Sequence, residues 1–308
     1  MAGFRTIVIN KRCKLESMLG FLVIKSTKEE RVYIKEIETL VIESTAVALT
    51  TSLVVDLVEN GVNVIFCDRR HFPCSNLVPT NAHFRCARNI YNQMNWSKER
   101  KAQCWKLIIQ EKIRQQMLLL RELNYIEVSE RLGLFRNTVN DGDTGNCEGL
   151  SSKMYFSELF GNKFLRRKES IINTLLNYGY TLLLSSFARE ISTAGYLNEI
   201  GIWHHGGENA YNLACDLMEP YRIVVDKLVD VIIHSSHLIG ENEAKRRLLF
   251  LFESVIEICG DKQSLIPSIR IYLHRIFRFL QNEVDDIYTI KIISDYNELS
   301  IHENDIVL

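Results

Sequence analysis

A chain of 308 residues has the length for one large domain or two ordinary ones, and 46% apolar with 24% charged residues is the balance of a soluble globular protein, which excludes a disordered chain. The formal net charge of -1 announces no polyanionic partner, so any nucleic-acid surface has to come from basic residues gathered on one face. Eight cysteines without a CxxC pair exclude a zinc-ribbon framework and fit reduced, buried thiols of a cytoplasmic protein; no secretory leader or membrane-length apolar run is visible, so no membrane role is expected.

The first part predicts strands. Residues 4–10, 19–25, 31–35 and 39–43 are short runs rich in Val, Ile, Phe and Tyr, separated by Lys11, Lys14, Lys28 and Glu29. Residues 46–60 predict a helix, because Leu49, Leu53, Val54, Leu57 and Val58 recur at helical spacing and Asn60–Gly61 is a stop. Residues 62–67 return to strand. Pro73 and Pro79 then mark a domain connection.

Beyond it the pattern is helical. Residues 96–123 carry the stripe Trp105, Ile108, Ile109, Ile113, Met117 and Leu120, and 137–147 form a polar loop. Residues 148–160, 170–193, 214–234, 243–259 and 266–279 predict further helices, the last with Pro267 in its first turn, before a mixed tail from Val284. The expected fold class is α+β. A small β-rich N-terminal domain over 1–75 and a linker over 76–90 precede a larger all-helical domain over 91–308.

Two clusters carry possible chemistry. Residues 201–222 gather His204, His205, Glu208, Asn209, Asn212, Asp216, Glu219 and Arg222, groups that are costly to bury without partners. Asp216 and Glu219 are three apart on one helix face, and two acids there repel unless a cation lies between them. Arg222 in a buried polar network supplies that cation in one reading. A Mn²⁺ or Mg²⁺ ion held by carboxylates and an imidazole supplies it in the other. Spacing alone leaves both open.

The second cluster is Glu148, in a first helical turn where the dipole favours an acid, followed by Gly149, Ser151 and Ser152, small enough to admit another backbone or a ligand. Basic runs lie at Lys98, Arg100, Lys101, Lys106, Lys112 and Arg114, at Arg166–Arg167–Lys168, at Lys245–Arg246–Arg247, and at Arg270, Arg275 and Arg278. Each run alone is ordinarily a solvated face; together they form patches that can neutralise phosphates. No P-loop, dinucleotide fingerprint or nucleophile elbow is present.

Both clusters resemble the CRISPR-associated integrase of spacer acquisition, with the match nearest its type II branch. The family pattern G-x-x-H-x-N-x-x-N-x-F-N-L-A-x-D-x-M-E-P-F-R is met at Gly201, His204, Asn209, Asn212, Leu213, Ala214, Asp216, Met218, Glu219, Pro220 and Arg222. Its E-G-x-x-x-x-x-Y-F is met at Glu148, Gly149, Tyr155 and Phe156, and Ile172, Asn173, Leu176, Asn177, Tyr178, Gly179 and Tyr180 resemble a further family helix. Gly206 replaces an asparagine, Tyr211 and Tyr221 replace phenylalanines, and Cys147 stands where an arginine often precedes the glutamate.

The resemblance implies a metal-dependent DNA endonuclease and integrase that inserts short DNA fragments into a repeat array by 3′-hydroxyl attack on a phosphodiester. It implies Glu148, His204 and Glu219 as catalytic metal ligands for Mg²⁺ or Mn²⁺, with Asp216 as a further ligand or a partner to one; the register selects His204 over His205. It also implies double-stranded DNA as substrate, homodimerisation through the β-rich domain, and a small CRISPR-associated partner protein. Two other readings stay open on the residues: a non-catalytic helical scaffold that binds nucleic acid, and a plain nuclease for branched DNA.

Overall fold

The computed structural model describes residues 3–80, 84–235, 240–294 and 296. They divide into two compact units, the boundary falling near residue 82.

The first unit runs β1 (Arg5–Ile9), β2 (Cys13–Met18), β3 (Phe21–Lys25), β4 (Glu29–Tyr33), β5 (Ile37–Ile42), β6 (Val47–Leu49), α1 (Thr51–Glu59), β7 (Asn63–Cys67) and β8 (Pro73–Asn76). Its strands form two four-stranded sheets, ordered β1-β5-β7-β8 and β4-β3-β2-β6. The first sheet is parallel at β1/β5 and β5/β7 and closes with β8 antiparallel. Alternate residues of both sheets, among them Ile7, Ile9, Leu15, Leu22, Ile24, Leu40, Ile42 and Val64, bury one core with Leu53 and Leu57 of α1.

The β2–β3 hairpin turns on Leu19 and Gly20, both left-handed (φ 54 and 81), the turn that matches strand twist. Sequence periodicity missed β2 because Lys14 and Glu16 look like separators. They flank Leu15, the one fully buried residue of the strand, which faces the core together with Cys13, while Glu16 answers Lys14 and Lys25 on the other face. The helix expected over 46–60 is shorter, since 47–49 pair with β2 as β6 and Thr50 caps α1 by accepting from the Leu53 N–H at 3.4 Å.

The second unit runs α2 (Cys86–Met94), α3 (Lys98–Glu122), α4 (Ile126–Thr138), α5 (Cys147–Phe160), α6 (Ile171–Thr193), α7 (Asn212–Leu217), α8 (Arg222–His234), α9 (Glu241–Leu248), β9 (Ile256–Ile258), β10 (Asp261–Gln263), α10 (Leu265–Leu280) and β11 (Ile290–Ile292). Helix α3 is its axis. Ser97 caps it by accepting from the Arg100 N–H at 3.1 Å, and Cys104, Trp105, Ile108, Ile109, Ile113, Leu119 and Leu120 are buried along it. Helix α6 starts at the Ser170 cap and is buried on most of its circumference. Gly179 lies against α8 so closely that a Cβ there falls 2.5 Å from Val225 Cγ1.

The α+β expectation holds, with corrections inside the second unit. It is not all-helical: β9, β10 and β11 form a small antiparallel sheet ordered β10-β9-β11. The helix expected over 243–259 ends at Leu248 and passes through a 3-10 turn into β9, because an unbroken apolar run does not separate helix from buried strand. The helix expected over 214–234 breaks into α7, a 3-10 turn over Glu219–Tyr221, and α8, since Pro220 has no N–H to continue α7. Of the stretch expected as linker, 76–90, the end of β8 and the start of α2 hold parts, while 81–83 lie outside the described residues; so do 295 and 297–308 of the mixed tail. Among the described residues no helix is long and apolar enough to cross a membrane.

Candidate metal centre and its cavity

Glu148 stands in the first turn of α5, and the preceding loop holds it there. Asp143, itself left-handed (φ 44), accepts from the Cys147 and Glu148 N–H groups at 2.9 Å each. A carboxylate thereby caps the positive end of the helix and leaves the Glu148 side chain free to project. Ser152 Oγ, one turn on, donates to Glu148 Oε1 at 3.2 Å, and Ser151 Oγ donates to the Glu148 carbonyl at 3.0 Å. The small residue at 149 admits the chain's own loop, since a Cβ there falls 2.7 Å from Asn146 Oδ1, and it also lines the cavity beside Glu148.

Glu219 reaches the same place from the turn that Pro220 imposes before α8. Its Oε1 accepts from Arg222 Nε at 2.9 Å, and its Oε2 lies 2.6 Å from Lys112 Nζ. Lys112, on α3, also bonds Glu148 Oε1. Two carboxylates far apart in the chain thus meet on the ammonium of one lysine, a residue only 7% exposed. Burial alone pushes the Glu219 carboxyl up, but Arg222 and Lys112 outweigh it and hold it below the usual carboxylate range. Burial likewise pulls the Lys112 ammonium down, and the charges of Glu219 and Glu148 carry it above its ordinary value. Arg222 is fixed a second way, with its guanidinium 4.6 Å from the centre of the Tyr180 ring.

His204 sits on the loop before α7, and Asp216 organises that loop. Fully buried on α7, Asp216 accepts from the Ile202 N–H at 2.7 Å, the Trp203 N–H at 2.8 Å and the His204 N–H at 3.2 Å. It also bonds His204 Nδ1. That bond raises the imidazole's pKa against the opposing pull of burial. With Nδ1 engaged, the tautomer leaves Nε2 as the free donor atom. In this arrangement both Asp216 oxygens are engaged by the loop backbone and the His204 ring.

Further contacts fix the same loop. Gly201 is required there, since a Cβ falls 2.4 Å from the His204 carbonyl oxygen. Asn212 Nδ2 donates to the carbonyls of Glu199 and Gly206 at 3.0 Å each, so the backbone of Gly206 supplies a contact that needs no side chain. Trp105 meets His204 edge-on at 5.8 Å and stacks with Trp203 at 5.7 Å. No such partner holds the His205 ring among the described residues.

Glu148, Lys112, Glu219 and Arg222 line a cavity of about 590 Å³ whose other walls include Lys153, Phe156, Arg166, Arg167, Tyr180 and Asp226. Arg166 is aimed by the α6 segment singled out in the sequence: it donates to Asn173 Oδ1 at 2.6 Å and Asn177 Oδ1 at 3.0 Å. Asp226, on α8, accepts from Tyr155 Oη at 3.1 Å and from Tyr180 Oη, and burial raises its carboxyl to about 6.

Sequence reasoning missed Lys112, Asp143 and Asp226. Lys112 did carry a signal: it falls at the phase of Trp105, Ile108, Ile109 and Gln116, on the buried face of α3. Asp226 likewise interrupts an otherwise apolar run, Ile223–Val229 apart from Lys227. The basic runs are largely tied internally and not held out as patches. Arg100 donates to the Phe279 carbonyl at 2.7 Å, Arg114 pairs with Glu111 at 2.7 Å, Lys245 with Glu241 at 2.7 Å, Arg270 with Glu190 at 2.9 Å, and Arg278 with Glu283 at 3.0 Å.

As the side chains stand, no three His, Cys, Asp or Glu among the described residues are arranged to hold a metal ion. The donor chemistry itself fits one. Glu148 and Glu219 already share one cation, and His204, with its Nδ1 engaged, lies near enough to Glu219 and Arg222 to feel both charges.

The family model described as "CRISPR associated protein Cas1" matches residues 6–247. A curated relative from Neisseria meningitidis serogroup C (strain 8013), "CRISPR-associated endonuclease Cas1", is 31% identical over 77% of this chain and 79% of its own. Among solved structures, "Casposase bound to integration product" superposes with a TM-score of 0.73 at 18% identity, covering 99% of this chain and 96% of that one. "Partial Cas6-RT-Cas1--Cas2 complex" does so with a TM-score of 0.65 at 17% identity, covering 95% and 100%. At those identities the two structures speak for the fold. The match of the family model across most of the chain, with a curated relative over three-quarters of it, shows that the chain belongs to the Cas1 family of CRISPR-associated proteins.

Proposed function

We propose that this chain is a divalent-metal-dependent DNA endonuclease and integrase of the type II branch, which joins the 3′-hydroxyl of a short DNA fragment to a phosphodiester of repeat DNA. The observation that carries the reading is the convergence of Glu148 and Glu219, from separate elements, on one internal cation at the edge of a cavity, beside an imidazole whose Nδ1 is held by Asp216. Both carboxylates and His204 Nε2 would hold Mg²⁺ or Mn²⁺. Such an ion neutralises non-bridging phosphate oxygens and stabilises the leaving oxygen.

The chain's own residues supply the rest. Asp216 keeps the imidazole oriented, and Arg222 keeps Glu219 charged and pointed inward. Arg166, Arg167 and Lys153 line the cavity as cations for the DNA backbone, which leaves the nucleophile to the substrate. The family's relatives support the wider setting: one solved neighbour is a casposase with its integration product, and another is a complex with Cas2. They favour assembly with a small CRISPR-associated partner on double-stranded DNA; a homodimer paired through the β-rich unit, working in the cytoplasm, is what the sequence resemblance adds to the proposal. The scaffold reading draws little from the structure, because the basic runs it needs are mostly engaged in internal ion pairs.

A strand-transfer assay with labelled donor and supercoiled repeat DNA tests the proposal. Joining should require Mg²⁺ or Mn²⁺ and vanish in Glu148→Ala and Glu219→Ala. Joining that persists in both variants overturns the site, and cleavage of branched DNA without joining favours the plain nuclease.

A further inference from the structure

Lys112 has no part in the metal reading, yet it occupies its centre. Its ammonium bonds Glu148 Oε1 and lies 2.6 Å from Glu219 Oε2, on a buried side chain. With Arg222 on Glu219 Oε1, the group holds two carboxylates, Glu219 buried and Glu148 a third exposed, and two cations, and is neutral. A divalent ion held by both carboxylates would need the oxygens that the Lys112 ammonium occupies, and would add two positive charges to a group that is already neutral. One of the resident cations therefore has to leave.

Arg222 is poorly placed to go. Its guanidinium is locked to Glu219 within one turn and lies over the Tyr180 ring at 4.6 Å. Lys112 is tied through its ammonium alone among its polar contacts, at the end of a four-carbon stem with more rotatable bonds than a guanidinium stacked on a ring. The cavity it borders also carries Asp226 and is large enough to receive it. We propose that Lys112 is a resident counter-cation exchanged for the divalent metal: it keeps the two carboxylates together before the metal arrives, and it lowers metal affinity because it must be displaced. The inference rests on the metal reading of Glu148 and Glu219.

Three measurements on the full chain test it. In calorimetric titration with Mn²⁺, Lys112→Met should bind at least about tenfold more tightly than the wild type, since no internal cation competes. In chelator, Lys112→Met should melt below the wild type, because Glu148 and Glu219 then face each other with Arg222 alone, and saturating Mn²⁺ should close that gap. In the unmodified chain, Mn²⁺ should increase labelling of Lys112 by an amine-reactive reagent, read by mass spectrometry, a measurement that needs no variant to fold.

Unchanged or weaker Mn²⁺ binding by Lys112→Met, or unchanged labelling of Lys112, overturns the exchange while leaving the metal site standing, provided Glu219→Ala abolishes Mn²⁺ binding. Mn²⁺ binding indifferent to Glu219→Ala overturns the metal site and the exchange together.

Discussion

Asp216→Asn is the most discriminating perturbation of the His204 loop. The native carboxylate is fully buried and serves Ile202 N–H at 2.7 Å, Trp203 N–H at 2.8 Å, His204 N–H at 3.2 Å and His204 Nδ1. An amide keeps the shape but turns one acceptor oxygen into a donor. One flip turns the NH₂ on the Ile202 and Trp203 N–H groups, at about 1–3 kcal/mol for a group left unsatisfied; the other keeps all three N–H groups on the remaining oxygen, His204's at 3.3 Å, and turns the NH₂ on the imidazole Nδ1, forcing the opposite tautomer. The remaining bonds lose their charge assistance, so the total comes to about 3 kcal/mol. For a unit of this size that lowers Tm by roughly 6–12 °C in the transition of the helical unit. Scanning calorimetry of the full chain reads it directly. The same variant should weaken Mn²⁺ binding about 10- to 100-fold, through a ring no longer held in one tautomer. A variant that melts with the wild type and binds Mn²⁺ equally well refutes the reasoning, because Asp216 would then organise neither loop nor ring.

Asp226 makes a pH prediction whose sign follows from burial. Its carboxyl titrates at about 6, well above the ordinary range, so the folded chain holds that proton more tightly than the unfolded chain. The resulting stability, about 3 kcal/mol at most, is complete below pH ~4 and lost as pH climbs through about 6. Urea unfolding from pH 4 to 7 should show this component in the wild type and not in Asp226→Asn; parallel profiles would rule it out. Gly179→Ala places a Cβ 2.5 Å from Val225 Cγ1 and should destabilise by about 1–3 kcal/mol, most of it recovered in a Val225→Ala background. If Gly179→Ala is harmless in urea melts, the α6–α8 contact is looser than described.

Much of the architecture was legible because it is local. The strands at β1, β3, β5 and β7, the stripe of α3 and the capped start of α6 depend on neighbours within a turn or two, which periodicity reports directly. What failed was equally specific. Leu15 is the one fully buried residue of a strand that also carries Lys14 and Glu16, and the apolar run after Leu249 suits a buried strand as well as a helix. Gly179 and Gly201 could be noted in the sequence, but only the packed structure shows Val225 and the His204 carbonyl filling the space a side chain needs.

The site divides the same way. The sequence alone was enough to single out Glu148, His204, Asp216, Glu219 and Arg222, because polar groups so concentrated demand partners, and the matched pattern assigned them to one family. It could not say which partner each would find. Asp216 turned to the backbone of 202–204, Glu148 and Glu219 closed on a lysine from a third helix, and Asp226 came to rest between two tyrosines. Those pairings join residues from a dozen to more than a hundred positions apart, and burial decides them: once water is removed each charge takes the nearest opposite charge or donor, and only the tertiary fold sets which one is nearest.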